Sequence, residues 1–405
     1  MSEEQKFFEG VLARVPNAKP ASHGVLIETD AGLFHLTGIV NKSDYEGLSN
    51  DASFYAPFCN RDDIVKIKKP KVLSDYLLQI RAEAIVDNPR LVRVFRKRRG
   101  NKKDWSLDGY YKNKARENTY LRALSKGNQK KLAGIPAGSA YLDNVNAICM
   151  KTNLGNVIAI SEPLENFLYF MNLFFYGEDF GVKPKDVFSA FLIAQRIMAG
   201  DESYDFDLDP RGDLPEHIET FLQSLTDLQY QFILGHEYAH HLLGHLNESR
   251  LFSENLSNVL NAYEGTQVIQ HYKYSHKLEY DADWHSIKHI KGDSKYKEDI
   301  SNAAFLALMY FEVSGLILDY TNPRRSGAHS SHPNPVDRIF KLRSKLNNRL
   351  GFSKDQLENN IDFLRGFTKH FIDKYLVFNF DDFERYGSVY LPSYKEKLLV
   401  DRVDF

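Results

Sequence analysis

The sequence predicts an α+β fold, mostly helical with a small sheet, on three observations. Helical periodicity governs most of the chain beyond residue 217, two strand–turn–strand patterns occur before residue 161, and the apolar segments can fill more than one core. The composition agrees: 405 residues, 43% hydrophobic, 26% charged and 13% aromatic, describe a globular chain with room for two or three cores. Disorder, collagen and a disulfide scaffold are excluded. The 52 Lys and Arg nearly balance 54 Asp and Glu, and a net charge of −2 disfavours a wholesale nucleic-acid coat.

From the N-terminus, Met-Ser-Glu-Glu-Gln-Lys lacks the positive and apolar regions of a secretory signal. Cys59 and Cys149 lie far apart without C-x-x-C spacing. Neither a disulfide framework nor a thiolate zinc site is expected from them, and a cytoplasmic location fits. Residues 24–40 (GVLIETDAGLFHLTGIV) place two β-rich runs around Thr-Asp-Ala-Gly, predicting a hairpin in a small N-terminal module. Residues 72–85 are helical in period. Residues 90–103 carry eight Lys or Arg and no acid, and Trp105, Tyr110, Tyr111 and Tyr120 follow. That mixture suits phosphate contacts and base stacking. A solvated basic face or linker is the simpler expectation, because no other nucleic-acid motif accompanies it.

Residues 145–160 (VNAICMKTNLGNVIAI) predict a second hairpin about an Asn-Leu-Gly-Asn turn. Ser161, Glu162 and Pro163 then open an apolar helix through Tyr176. Another apolar helix near 186–199 precedes residues 201–219, which hold eight Asp or Glu and one Arg; Pro210, Gly212 and Pro215 make this segment a loop. Docking of the acidic loop on the basic segment is conceivable, but independent solvation is the more economical expectation. Helical patterns recur at 217–247, 275–290, 301–318 and 335–346. A last one at 353–376 sets Leu357, Ile361, Leu364, Phe371 and Tyr375 near one face. The most apolar stretch, 303–318, has 16 residues and contains Glu312. A spanning helix needs about 20 apolar residues, so a buried helix and no membrane span are expected. The chain thus divides into an N-terminal module with the hairpin and basic segment (1–120), a central domain (121–350) and a C-terminal helical packing extension (351–405).

The chemistry concentrates in residues 232–246 (FILGHEYAHHLLGHL), where H-E-x-x-H occurs as His236, Glu237 and His240. Residues four apart share a helix face, so the two imidazoles can reach one cation at about 2.0–2.1 Å. Glu237 sits beside that face, placed to take a proton from a water at the metal. Phe232, Ile233, Tyr238, Ala239, Leu242 and Leu243 can bury the other faces and hold the ligands stiffly. Two buried imidazoles and a carboxylate without a metal would be a costly polar cluster. Gly244 and His245 fall at the wrong offsets for H-E-x-x-H-x-x-G-x-x-H, so a third ligand must come from elsewhere. Residues 276–290 (HKLEYDADWHSIKHI) offer Glu279 and Asp283 on one helical face. Glu279 can complete a His2Glu site, the open three-ligand arrangement of catalytic zinc. Asp283 can accept the distal N–H of a ligand histidine. His285 and His289 form a competing i, i+4 pair, but lack an acid in the place Glu237 occupies.

In order, HEYAHHLLGH, then Glu279-Tyr-Asp-Ala-Asp283, then SHPNPVDRI at 331–339, resemble the three motifs of the HtpX and CAAX prenyl-protease group of gluzincin metallopeptidases. The upstream VNAICMKTNLGNVIAI resembles their Asn-Ala strand and edge hairpin. The matching parts are scattered through about 145–345, roughly half the chain. The resemblance implies a zincin-like metallopeptidase core at 121–350, with Zn2+ held by His236, His240 and Glu279, Glu237 as base and Asp283 supporting a ligand. It also places His332 and Arg338, which match the last motif, near the cleft. Members commonly carry transmembrane helices, and none is readable here. A weaker resemblance, on H-E-x-x-H alone, is to the phage-exclusion peptidase Lit, a cytoplasmic enzyme acting on a translation factor.

These readings predict a zinc-dependent endopeptidase acting on a protein or peptide substrate, with regulation expected of such an activity in a cytosol. The oxyanion of the reaction needs a second donor: His332 is the leading choice, Tyr280 and Arg338 lesser ones. An extended substrate would add along the strand at 156–160. The alternative is a nucleic-acid or partner-binding protein using residues 90–103 on an inactive scaffold, for which steep salt dependence would speak.

Overall fold

A computed structural model of the chain describes residues 3–21, 24–30, 32–36, 46–100, 102, 104–112, 114–142, 145–247, 249–255, 268–323, 332–384 and 387–394. Helix α1 (Glu3–Arg14) leads into β1 (Ala18–Ala21), β2 (Gly24–Thr29) and β3 (Gly32–Leu36), an antiparallel sheet in that order. The expected hairpin is β2–β3, closing at the Thr29–Gly32 pair, where Gly32 has φ 128°, a backbone state that a side chain would strain. Its expected residues 37–40 lie outside the described residues.

Three helices follow: α2 (Arg61–Lys68), α3 (Leu73–Val86) and α4 (Pro89–Arg99). Phe58, Ile67, Leu78, Ile85 and Phe95 from this region form a second core, so the N-terminal module is built more from helices than from its hairpin. The expected boundary at 120 falls inside α5 (Ala115–Ala123), whose Tyr120 is buried in the main core. Helix α6 (Lys126–Leu132) then leads to the main sheet, built from β4 (Ala137–Ala140), β5 (Ala147–Lys151), β6 (Asn156–Ser161), β7 (Arg250–Asn255) and β8 (Val268–Lys273) in the order β4-β6-β5-β8-β7.

The expected substrate strand, residues 156–160, is not an edge. β6 pairs with β4 in parallel and with β5 antiparallel, and both of its faces are covered. Val157 and Ala159 face the second core, Ile158 and Ile160 the main one, which is why the run is apolar throughout rather than alternating.

Helices α7 (Glu162–Tyr176), α8 (Pro184–Ala199), α9 (Glu216–Leu242), α10 (His276–Lys288), α11 (Ser294–Thr321), α12 (Pro335–Lys345) and α13 (Lys354–His370) build the main core on the other side of the sheet. Among the described residues α11 alone is long and apolar enough to cross a membrane. Its apolar window is 78% buried, and Phe305, Leu308 and Val313 lie in the core as the sequence led one to expect. Leu357, Ile361, Leu364 and Phe371 pack there too, so the C-terminal extension acts as a packing helix.

The two charge blocks do meet, against the expectation of independent solvation. Arg98 of α4 donates to Asp207 (2.5 Å) and to Glu162 (3.2 Å) with its side chain 12% exposed, while Lys97 donates to the Asp207 carbonyl. Three acids of the loop surround its own arginine instead. Arg211, fully buried, pairs with Glu202 (3.0 Å), Asp205 (2.8 Å) and Asp209 (3.2 Å). The aromatics after the basic block are packing residues rather than a stacking platform. Trp105 is buried and donates to the Phe58 carbonyl, Tyr120 is buried, Tyr111 donates to Glu162, and Tyr110 lies against Phe95.

Candidate metal centre

Helix α9 carries His236, Glu237 and His240 in its last turns, all three buried. Its position relative to α10 is set by a close crossing at Gly235. A Cβ there would lie 2.5 Å from the Tyr120 ring, and Tyr120 donates its hydroxyl to the Ser286 carbonyl of α10 at 2.7 Å. Glycine at 235 therefore lets one tyrosine tie the two helices together. This brings Glu279, 1% exposed, up against the two histidines.

The three side chains converge. Nε2 of His236 lies 3.1 Å from Nε2 of His240, and the Glu279 carboxylate is 3.5 Å from each of them. Ligands at about 2.0–2.1 Å around a tetrahedral ion are separated by roughly 3.3–3.4 Å, so this triangle suits one zinc-sized cation. Among the described residues it is the group of His, Cys, Asp or Glu side chains that could hold one. The orientation agrees: His236 donates from Nδ1 to Asp283 at 2.8 Å, which turns Nε2 to the triangle and leaves it the lone pair once the ring is neutral. Asp283 is in turn gripped by the buried Arg338 of α12 through Nε (2.8 Å) and Nη2 (2.7 Å). Of the Glu237 carboxylate, Oε2 is buried with no hydrogen-bond partner among the described residues, an acceptor awaiting a donor.

Protonation follows from the same contacts. Burial lowers both ligand histidines, but Glu279 and Asp283 overcome it at His236 and hold it up to about 10, while His240 is driven down to about 3. The metal-free pair thus keeps one proton, shared unequally. Burial pushes Glu237 up, with the Glu279 charge adding to it. Burial would raise Glu279 as well, but His332 and His236 hold it well below the usual carboxylate range.

His332 takes a place other than the expected one. Its Nδ1 lies 2.5 Å from Glu279 and its Nε2 3.1 Å from Asn146 Nδ2, so in this structure both ring nitrogens are engaged and the residue orients the Glu279 carboxylate. Tyr280 is half-buried and Arg338 is committed to Asp283. The competing pair does not form a site: His285 donates to the Asp281 carbonyl, and His289 lies among Lys131, Lys288 and Lys291.

Residues without a motif complete the centre. Tyr274 stacks on His240 with ring centroids 3.5 Å apart, and His245 Nδ1 lies 3.0 Å from His240 Nδ1. Cys149 Sγ is 3.3 Å from His241 Nε2. Asn146 and Cys149 lie in the expected Asn-Ala strand and His241 and His245 in the histidine-rich run, whereas Tyr274 had no signal in the sequence.

Two imidazoles, a carboxylate and an acid with an unpartnered oxygen thus meet at one cation-sized space. Residues 218–346 match the model of peptidase family M48. The matched segment contains the three converging ligands, Glu237, Asp283, His332 and Arg338, and supports a metallopeptidase function. Peptidases of this family are metalloproteases, typically of zinc, and the donor set here is of that kind. The M48-like segment leaves out β4, β5 and β6 and the whole N-terminal module. No curated protein and no solved structure matches the chain.

Proposed function

We propose that the protein is a zinc-dependent peptidase of gluzincin type acting on protein or peptide substrates in the cytoplasm, with His236, His240 and Glu279 as ligands and Glu237 as general base. The observation that carries it is the ligand triangle with the unpartnered Glu237 oxygen beside it. Bound zinc supplies Lewis acidity, polarising a carbonyl and making water a nucleophile near neutral pH. Glu237, its basicity raised by burial, accepts a proton from the attacking water and later delivers it to the leaving amine. Asp283, fixed by Arg338, holds His236 in the ligating tautomer, and His332 holds Glu279. A backbone segment of substrate adds to β5 rather than β6, since the described pairing of β5 with β8 covers only Met150 and Lys151.

The buried, free cysteines fit a reducing compartment. A nucleic-acid role for residues 90–103 has less support, because Lys97, Arg98 and Arg99 already bond within the chain. The test compares wild type with Glu237→Gln: zinc content should be equal and proteolysis abolished. A variant that cleaves at the wild-type rate removes Glu237 from the reaction.

A further inference from the structure

Gly244 and His245 stand at the wrong offsets to supply a third histidine ligand, yet the fold returns His245 to the metal centre. We propose that His245 is a positioning residue, whose Nδ1 accepts the Nδ1–H of His240 and so holds that ring in the tautomer and orientation that ligate zinc. This rests on the metallopeptidase reading above and deepens it by one residue.

The local backbone explains how His245 arrives there. Helix α9 ends at Leu242, and the Leu243 N–H still donates to the Ala239 carbonyl at 3.0 Å. Had the helix continued, residue 245 would lie about 140° round the axis from residue 240, on another face. Gly244 instead takes φ 75°, a left-handed state that glycine adopts without strain, and its N–H donates to the His241 carbonyl at 3.2 Å. The chain turns back into a short 3-10 segment, His245–Asn247, which opens with the His245 ring against that of His240. Both residues are buried.

The hydrogen bond has one consistent direction when His240 is a ligand. A neutral imidazole carries a single N–H. His240 turns Nε2 to the ligand triangle, 3.1 Å from His236 Nε2 and 3.5 Å from Glu279, so the N–H of the ligating ring stands on Nδ1. His245 Nδ1, 3.0 Å away, then offers its lone pair and keeps its own N–H on Nε2. A ligand histidine usually gives this bond to a carboxylate, a backbone carbonyl or a water. His236 follows that pattern with Asp283, whereas His240 has a second imidazole. Tyr274 lies flat on the face of His240, its ring tilted by 9° at 3.5 Å between centroids, so the ring is held on a face by Tyr274 and at its edge by His245. An uncharged acceptor orients the ligand without adding a fourth carboxylate to a space that already holds Glu237, Glu279 and Asp283.

The experiment separates an acceptor from a space-filler. His245→Asn sets an amide oxygen where Nδ1 stands and discards the rest of the ring, whereas His245→Phe keeps the ring and discards the acceptor. Zinc affinity of the full-length chain is read by competition with a chromophoric chelator at one pH. His245→Asn should stay within about threefold of wild type, and His245→Phe should bind about 10–100-fold more weakly. A packing role would give the opposite order. His245→Gln, whose oxygen falls at the Nε2 position, should resemble His245→Phe and replaces it if that chain does not fold. Nitrogen-15 spectra of the zinc-loaded wild type with labelled histidine give a readout independent of any variant's folding: His240 should carry its proton on Nδ1 and His245 on Nε2. Equal affinities in all the variants, a loss in His245→Asn as large as in His245→Phe, or a zinc-loaded His245 with its proton on Nδ1 overturns the proposal and leaves the peptidase reading standing. A folded wild type that binds no zinc overturns both.

Discussion

Replacing Asp283 by Asn tests the support beneath the metal ligands. The carboxylate accepts three hydrogen bonds: from His236 Nδ1 at 2.8 Å and from Arg338 at 2.8 and 2.7 Å. Asparagine keeps the volume but has one oxygen. With that oxygen left on His236 and the Arg338 Nη2, the amide N–H faces the Arg338 Nε–H, donor against donor. Flipped, it faces the His236 Nδ1–H instead. Either way the Arg338 guanidinium, whose side chain is 9% exposed, loses its counter-ion. Breaking one partner out of a buried pair costs about 3–5 kcal/mol of stability. For the metal, loss of the carboxylate behind a ligand histidine typically costs about 10–100-fold in affinity, or roughly 1.4–2.7 kcal/mol. Zinc competition against a chromophoric chelator measures the second figure, and thermal unfolding of the metal-free chain measures the first. A folded Asp283→Asn protein that binds zinc within about twofold of wild type would refute the reasoning.

Three more outcomes are expected. Because His236 is held up to about 10 in the metal-free fold, zinc binding at pH 7 to 8 should release about one proton. Calorimetry in two buffers of different ionisation enthalpy reads it. The sign for stability follows: with a folded value above the unfolded one of about 6.5, this proton stabilises the metal-free chain fully below that value. Its contribution is lost as pH rises towards 10, so metal-free Tm should fall over that window, and a flat profile would contradict it. Arg211→Met strands Asp205 and Asp209 in a buried site, while Glu202 keeps Arg196 at 2.8 Å, and should cost about 3–5 kcal/mol in urea unfolding; a loss under about 1 kcal/mol would mean that the loop opens to water instead. Gly235→Ala drives a methyl into Tyr120 and should cost about 1–3 kcal/mol while weakening zinc binding through the α9–α10 crossing, and unchanged zinc affinity would separate that crossing from the metal centre.

The convergence of these side chains was legible because it obeys a local rule. His236 and His240, and Glu279 and Asp283, are each four apart on a helix, and that spacing puts them on one face whatever the rest of the chain does. The partners supplied by tertiary packing left little trace. Tyr274 reaches His240 from the end of β8, where no periodicity marks it. His332 was legible as a residue of the centre but not in its role, which depends on where Asn146 and Glu279 stand around it. The strand at 156–160 was recognisable as a strand, but its place in the sheet depends on β4, a four-residue piece with little pattern of its own. The meeting of Arg98 with Asp207, 109 residues apart, is likewise a product of the fold, which brings the loop to α4.

Burial acts in opposite directions on His236 and Glu237, lowering the first and raising the second, but the Glu279 charge raises both. Arg338 offsets part of the Asp283 charge, and Glu279 and Glu237 add two more carboxylates to the buried space beside the two imidazoles. Such a space is short of positive charge, and without a cation it must draw protons from solvent. Burial raises Glu237, and Glu279 and Asp283 together raise His236. A divalent ion among the three ligands would supply the same positive charge without using the proton-accepting capacity of either residue. That charge would favour the ionised form of Glu237, against the burial that raises its proton affinity. That accounts for why a carboxylate with an unpartnered oxygen is tolerated in the interior at all.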